Sequence, residues 1–183
     1  GSDTDKEATA TSNLALGDLF VSGADTPLSY SFVDDTAAAT VATALALTSN
    51  GTAVTFDAAN SDASTLSFIA GAGNEVFKLE LIDSDSDTAV DAVKFTLSGP
   101  LDHANANGEN SLTLNLGGLI SATDADGDLA TASGAAFAVT ITDDVPSSAA
   151  ADALTATLDE DDLASGSDTD KEATATSNLA LGD

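Results

Sequence analysis

Apolar residues alternate with small polar ones along most of this chain. Leu28, Tyr30 and Phe32 alternate with Ser29 and Ser31; Val54 and Phe56 flank Thr55; Leu66 and Phe68 flank Ser67. Phe77, Leu79 and Leu81 alternate with Lys78 and Glu80, and Val93, Phe95 and Leu97 with Lys94 and Thr96. Leu112, Leu114 and Leu116 alternate with Thr113 and Asn115, and Phe137, Val139 and Ile141 with Ala138 and Thr140. A period of two places apolar groups on one face and polar groups on the other, as half-buried antiparallel strands require. These runs, with weaker ones at 14–22, 119–123 and 153–158, predict an all-β fold, an immunoglobulin-like antiparallel β-sandwich. Turn clusters such as Ser49-Asn50-Gly51, Gly71-Ala72-Gly73-Asn74 and Gly99-Pro100 separate the runs. The alanine-rich stretch 37–47 is the one candidate helix. Its threonines and valine lower helix propensity, so at most one short helix is expected.

A long repeat sets the organisation. Residues Gly1–Asp18 read GSDTDKEATATSNLALGD, and Gly166–Asp183 repeat all 18 positions at an offset of 165. Solenoids and propellers repeat every 20–50 residues or so; this period is the size of a whole folding unit and predicts tandem domains. The expected division is a sandwich over 1–146, a Ser/Ala-rich linker over 147–152, and the opening of the next copy over 153–183. The segment 153–163 (ALTATLDEDDL) precedes the second copy and has no counterpart before Gly1. The first strand of the repeat is therefore expected to be missing at the N-terminus. Residues 153–183 either fold back to complete the sandwich, pair with a neighbouring molecule, or stay loose. The chain contains no methionine, which predicts a fragment of a longer protein.

Charge and composition narrow the function. Asp and Glu number 31 against four lysines and no arginine, a net charge of −27. Binding nucleic acid requires a basic footprint to displace counterions, and a polybasic membrane contact requires clustered lysine or arginine; neither is present. No apolar run approaches the roughly 18 residues of a membrane-spanning helix. Without cysteine there is neither a disulfide framework nor a thiolate metal site, and His103 alone builds no multi-histidine zinc site. His103 itself reads as a loop residue packing locally. No serine sits in GxSxG, and no Asp-Thr-Gly or Asp-Ser-Gly occurs. A glycosidase pair would want aromatic platforms, and the chain has seven Phe, one Tyr and no Trp. No enzymatic activity and no small-molecule substrate are expected.

The acids collect at expected loop positions. They form Asp83, Asp85 and Asp87; Asp124, Asp126 and Asp128; Asp143 and Asp144; and Asp159, Glu160, Asp161 and Asp162. Asp3 and Asp5 form another group, copied at Asp168 and Asp170. Like charges about 4 Å apart repel by roughly 4 kcal/mol at an effective dielectric near 20, so such packing calls for a cation. Ca²⁺, with six to eight oxygen ligands, suits these donors. The sharpest group is Thr123-Asp124-Ala125-Asp126-Gly127-Asp128, where acids at alternate positions converge from one turn and Gly127 supplies backbone freedom. It is not an EF-hand, because Ala135 stands where the last ligand would be. Several Ca²⁺ ions are expected. Asp143-Asp144-Val145-Pro146 and the DEDD run place carboxylates on both sides of a junction between units, where calcium would stiffen the joint.

Three motifs, SGPLDHANANGENSLTL (98–114), ATDADGDLATASGAAFAVTITDDVP (122–146) and TATLDEDDLASGSDTDKE (155–172), resemble the tandem repeats of giant bacterial adhesins exported by type I secretion. These are the RTX adhesins and their large-adhesion-protein relatives. The resemblance implies Ca²⁺-stabilised β-sandwich extender domains on the outer surface of Gram-negative bacteria. There they hold a terminal ligand-binding region away from the cell in biofilms, with neighbouring repeats as partners. The family's glycine-rich nonapeptide is missing, so no parallel β-roll is expected. The competing expectation is a ligand-binding module, lectin-like or ice-binding, acting through multivalency. It lacks exposed aromatics near the acidic loops and a regular threonine ladder.

Overall fold

The structure, a computed structural model, describes residues 10–104, 110–144 and 165. The chain divides into two compact units, 1–145 and 146–183, and every element below belongs to the first. Apart from Ser165, the expected linker at 147–152 and the next-copy segment at 153–183 lie outside the described residues, as does the weak strand at 153–158.

Eleven strands and one α-helix are described. They are β1 (Ala10–Ala15), β2 (Ser29–Phe32), α1 (Asp35–Leu45), β3 (Thr48–Ser49), β4 (Thr52–Phe56), β5 (Thr65–Ala70), β6 (Asn74–Ile82), β7 (Ala92–Leu97), β8 (Ser111–Asn115), β9 (Ile120–Thr123), β10 (Leu129–Thr131) and β11 (Ala138–Thr142). Every pairing is antiparallel. The largest sheet has six strands in the order β1-β7-β6-β5-β4-β3; a second has three, β10-β9-β2; a third has two, β11-β8. This is the all-β, sandwich-like arrangement that the alternation predicts, with one short helix.

Register explains why the alternation matters. Phe56 pairs with Phe68, Phe68 with Phe77, and Leu79 with Phe95, so these aromatic residues share one face of four adjacent strands. Their ring centroids follow one another at 5.9, 4.4 and 5.4 Å. Cross-strand aromatic pairs of this kind add to the area they bury. Phe32 and Ile120 of the three-stranded sheet, Leu114 of the two-stranded sheet, and Phe137 join the same buried cluster. One core therefore serves all three sheets.

The polar face of β6 and β7 carries the two described lysines. Lys78 Nζ lies 3.1 Å from one carboxylate oxygen of Glu80, and Lys94 Nζ lies 3.2 Å from the other. Partial burial disfavours the Glu80 carboxylate, but the two lysines outweigh it and hold its pKa below the ordinary value.

The helix begins at Asp35, two residues before the expected start. Asp34 is its N-cap: the Ala37 N–H donates to Asp34 Oδ1 at 2.8 Å, satisfying an orphan donor of the first turn. Thr40 and Thr43 donate their hydroxyls back to the carbonyls of Thr36 and Ala39 at 2.8 and 2.9 Å, so the two threonines are compatible with helix. Ala38 and Ala42 are buried, and the helix packs on β4. It ends at Ala46 in the left-handed region, with φ 51°.

Gly117 marks the tightest backbone approach. A Cβ built there would stand 1.9 Å from the carbonyl oxygen of Ser133, so only glycine lets the turn at 117–119 pass the turn at 134–136.

Candidate metal centre

The turn Asp124–Asp128 joins β9 to β10, whose first residue, Leu129, pairs back with Thr123. Gly127 adopts φ 102°, a conformation other residues rarely reach. Asp124 organises the turn. Its Oδ1 accepts the N–H groups of Gly127 and Asp128 at 3.1 and 2.8 Å, and its own N–H donates to the Asp128 carbonyl at 3.1 Å. Asp128 thus contributes its backbone to the turn, and its carboxylate is not among the three that converge there.

The third carboxylate is Asp25. Strand β2 pairs with β9 in the register Ser29↔Thr123, so the chain entering β2 runs beside the chain leaving β9. The Ala125 N–H donates to the Asp25 carbonyl at 3.3 Å. Carboxylate oxygens of Asp25, Asp124 and Asp126 then lie within 4.8 Å of one another. Oxygens on opposite sides of a Ca²⁺ ion, with bonds of about 2.3–2.6 Å, stand up to about 5 Å apart. The group could therefore hold a metal ion.

The two carboxyls of the turn shift in opposite directions. A hydrogen bond between the Asp124 and Asp126 carboxyls, with further N–H donors from Asp128 and Gly127, holds Asp124 below its ordinary pKa. The same hydrogen bond and the Asp124 charge push Asp126 above its own.

The second group is Asp83, Asp85 and Asp87 in the loop joining β6 to β7, again with oxygens within 4.8 Å of one another. Asp83 is the hub. Its Oδ2 accepts the Thr88 N–H at 2.8 Å, and its Oδ1 accepts those of Ser86 and Asp87 at 2.7 and 3.2 Å. These donors, Thr88 first, hold its pKa down. Asp85 accepts the Asp87 N–H, which lowers its pKa, but the charges of Asp87, Asp91 and Asp83 and partial desolvation outweigh this and leave it raised. Ser86 and Thr88 sit at φ 67° and 79°, positions uncommon for serine and costly for a β-branched residue. Asp91 closes the loop, accepting from Ser84 N and Ser84 Oγ at 2.7 Å each.

Several other acids have local work. Asp34 caps α1, Asp57 caps the 3-10 turn at 58–60, and Asp62 accepts the Ser64 N–H at 2.8 Å. A carboxylate satisfied by backbone N–H groups tolerates its charge without a metal, so acid density alone overcounts sites. Asp143 follows β11 and donates its N–H to the Asn110 carbonyl at 2.7 Å. Neither Asp143 nor Asp144 joins a three-carboxylate group among the described residues. Asp3, Asp5, Asp159, Glu160, Asp161, Asp162, Asp168 and Asp170 lie outside the described residues.

Among the described residues, two groups of carboxylates could therefore hold a metal ion. All their donors are oxygens, which suits a hard cation. No described helix is long and apolar enough to cross a membrane. No family model, curated protein or solved structure matches the chain.

Proposed function

We propose that this chain is a calcium-stabilised spacer repeat of a bacterial cell-surface adhesin, exported by type I secretion and projecting a terminal binding region away from the cell. The observation that carries this reading is the 18-residue segment recurring unchanged 165 residues on. An unchanged 18-residue segment at a domain-length offset is what tandem copies of one unit would give, and tandem copies favour a part whose contribution is length. The neighbouring repeats are its partners, and it has no catalytic role.

Calcium is the second half of the proposal. The Asp25–Asp124–Asp126 group and the Asp83–Asp85–Asp87 group are the described ligand sets that support it. An ion bound only to the folded state adds about 2.7 kcal/mol per site when its concentration is a hundredfold above Kd. Sites of extracellular affinity, on the order of 10⁻⁴–10⁻³ M, fill outside a cell and empty in the cytosol, so the chain stays export-competent inside and folds outside.

Thermal melting in millimolar calcium and again in excess chelator tests the reading. The midpoint should rise with calcium and fall with chelator; identical midpoints would mean that calcium is not structural. For the spacer role, small-angle scattering of several linked repeats should give a longer, stiffer particle with calcium than without it. Reproducible signal on a glycan array or in ice-affinity capture would favour the binding-module reading instead.

A further inference from the structure

Asn-Gly is the dipeptide in which the following backbone nitrogen attacks the asparagine side chain most readily, because glycine offers no side chain to hinder it. The chain contains two, at 50–51 and 107–108, and the first is described. Asn50 and Gly51 are the central residues of the two-residue turn between β3 and β4, flanked by the pair Ser49↔Thr52. Both have positive φ, 49° and 75°, as that hairpin turn demands. Asn50 is exposed.

One side chain from elsewhere in the sequence grips this turn. Asp102 Oδ1 accepts the Asn50 N–H and Asp102 Oδ2 accepts the Gly51 N–H, each at 2.8 Å. The Asp102 N–H in turn donates to the Thr48 carbonyl at 2.8 Å, fixing the carboxylate over the turn. The Thr48 hydroxyl, then the Gly51 and Asn50 N–H groups, hold the Asp102 pKa below its ordinary value, so the carboxylate is charged at neutral pH.

We propose that Asn50 is a deamidation site of this protein and that the Asp102 carboxylate, by binding the Gly51 N–H, keeps it closed in the folded chain. In the reaction the Gly51 nitrogen gives up its proton and attacks Asn50 Cγ. A new N–Cγ bond forms, the Cγ–Nδ2 bond breaks, and the side-chain nitrogen leaves as ammonia with the proton. Water then opens the cyclic imide at either carbonyl, leaving aspartate or isoaspartate at position 50. The Asp102 grip opposes the first step twice. A carboxylate hydrogen-bonded to an N–H stabilises the protonated nitrogen, and closing the imide requires the Asn50–Gly51 backbone to leave the conformation that both hydrogen bonds hold. Isoaspartate would add one backbone carbon to a two-residue turn, and the register Ser49↔Thr52 and Thr48↔Ala53 depends on that length.

The test is peptide-level mass spectrometry after incubation of the whole chain at mildly alkaline pH, folded in buffer and unfolded in urea. Reaction through an opened turn scales with the open population, so Asn50 should convert at least about tenfold more slowly when folded. Asp102→Ala, with folding checked by circular dichroism, should move the folded rate most of the way to the urea rate, and Asp102→Asn should accelerate it partially. If Asp102→Ala does not fold, Asp102→Asn decides alone. Equal rates in buffer and urea would overturn the proposal, and so would a folded Asp102 variant that deamidates no faster than the parent. A slower variant would also overturn it, because Asp102 would then be acting as the base.

Discussion

In the two acidic loops, carboxylates answer chiefly to backbone N–H groups and to one another, and the two kinds of partner predict opposite pH behaviour. Asp126 is raised by its contact with Asp124. A carboxyl raised by folding contributes stability below its unfolded pKa and loses it as pH rises through the folded one. In chelator, Asp126→Asn should therefore melt above the parent at neutral pH, with the gap closing as the solution becomes acid. Asp83 is lowered, chiefly by the Thr88 N–H, so its contribution is present above its unfolded pKa and lost as pH falls through the folded one. Asp83→Asn should melt below the parent at neutral pH, and that gap should also close towards acid. A pair of pH-series melts checks both signs. With calcium present the roles of the turn residues separate: Asp25→Ala should remove part of the calcium-dependent rise in midpoint, and Asp128→Ala should remove less. If Asp25→Ala responds fully to calcium, the turn does not bind it through that residue.

At the scale of elements, the six-stranded sheet depends on the aromatic row across β4, β5, β6 and β7. Phe77 is fully buried and contacts Phe68 and Phe95. Replacing it with alanine should cost about 3–5 kcal/mol in a urea titration, with the loss set by how far the sheet can close over the gap. Gly117→Ala should cost more than about 3 kcal/mol, because the clash is with backbone, which has no rotamer in which to retreat. Most strand positions were legible from alternation, since the period of two is a property of each segment alone. The helix was legible too, displaced by two residues because its cap, Asp34, lies outside the alanine run. Strands β3 and β10 were not. They have two and three residues, too short to show a period, and form only because a longer neighbour offers its edge. The weak run at 14–22 became a strand over 10–15 that stops before a turn.

For the whole molecule, a net charge of −27 opposes compactness by self-repulsion. Monovalent salt screens exposed charges with a Debye length of about 8–10 Å near physiological strength, so adding sodium chloride in chelator should raise the melting midpoint gradually. Millimolar calcium should raise it further than sodium chloride of equal ionic strength, because ligated ions act at fixed positions. Equal effects at equal ionic strength would reduce calcium to a screening ion.

What the sequence by itself determined is local or literal: the alternation that makes strands, the alanine run that makes the helix, the loops that gather acids, and the domain-length repeat. Tertiary structure alone decided which strands became neighbours, and with that the make-up of the candidate centre. Asp124 and Asp126 are close in the chain and stayed together. Asp25 is about a hundred residues away and arrives only because Ser29 pairs with Thr123, while the Asp128 N–H donates to Asp124 and the Asp128 carboxylate stands outside that group of three. The physical reason is that side-chain alternation is imposed by each segment's own backbone geometry, whereas strand order and register are chosen by what must be buried together across long loops.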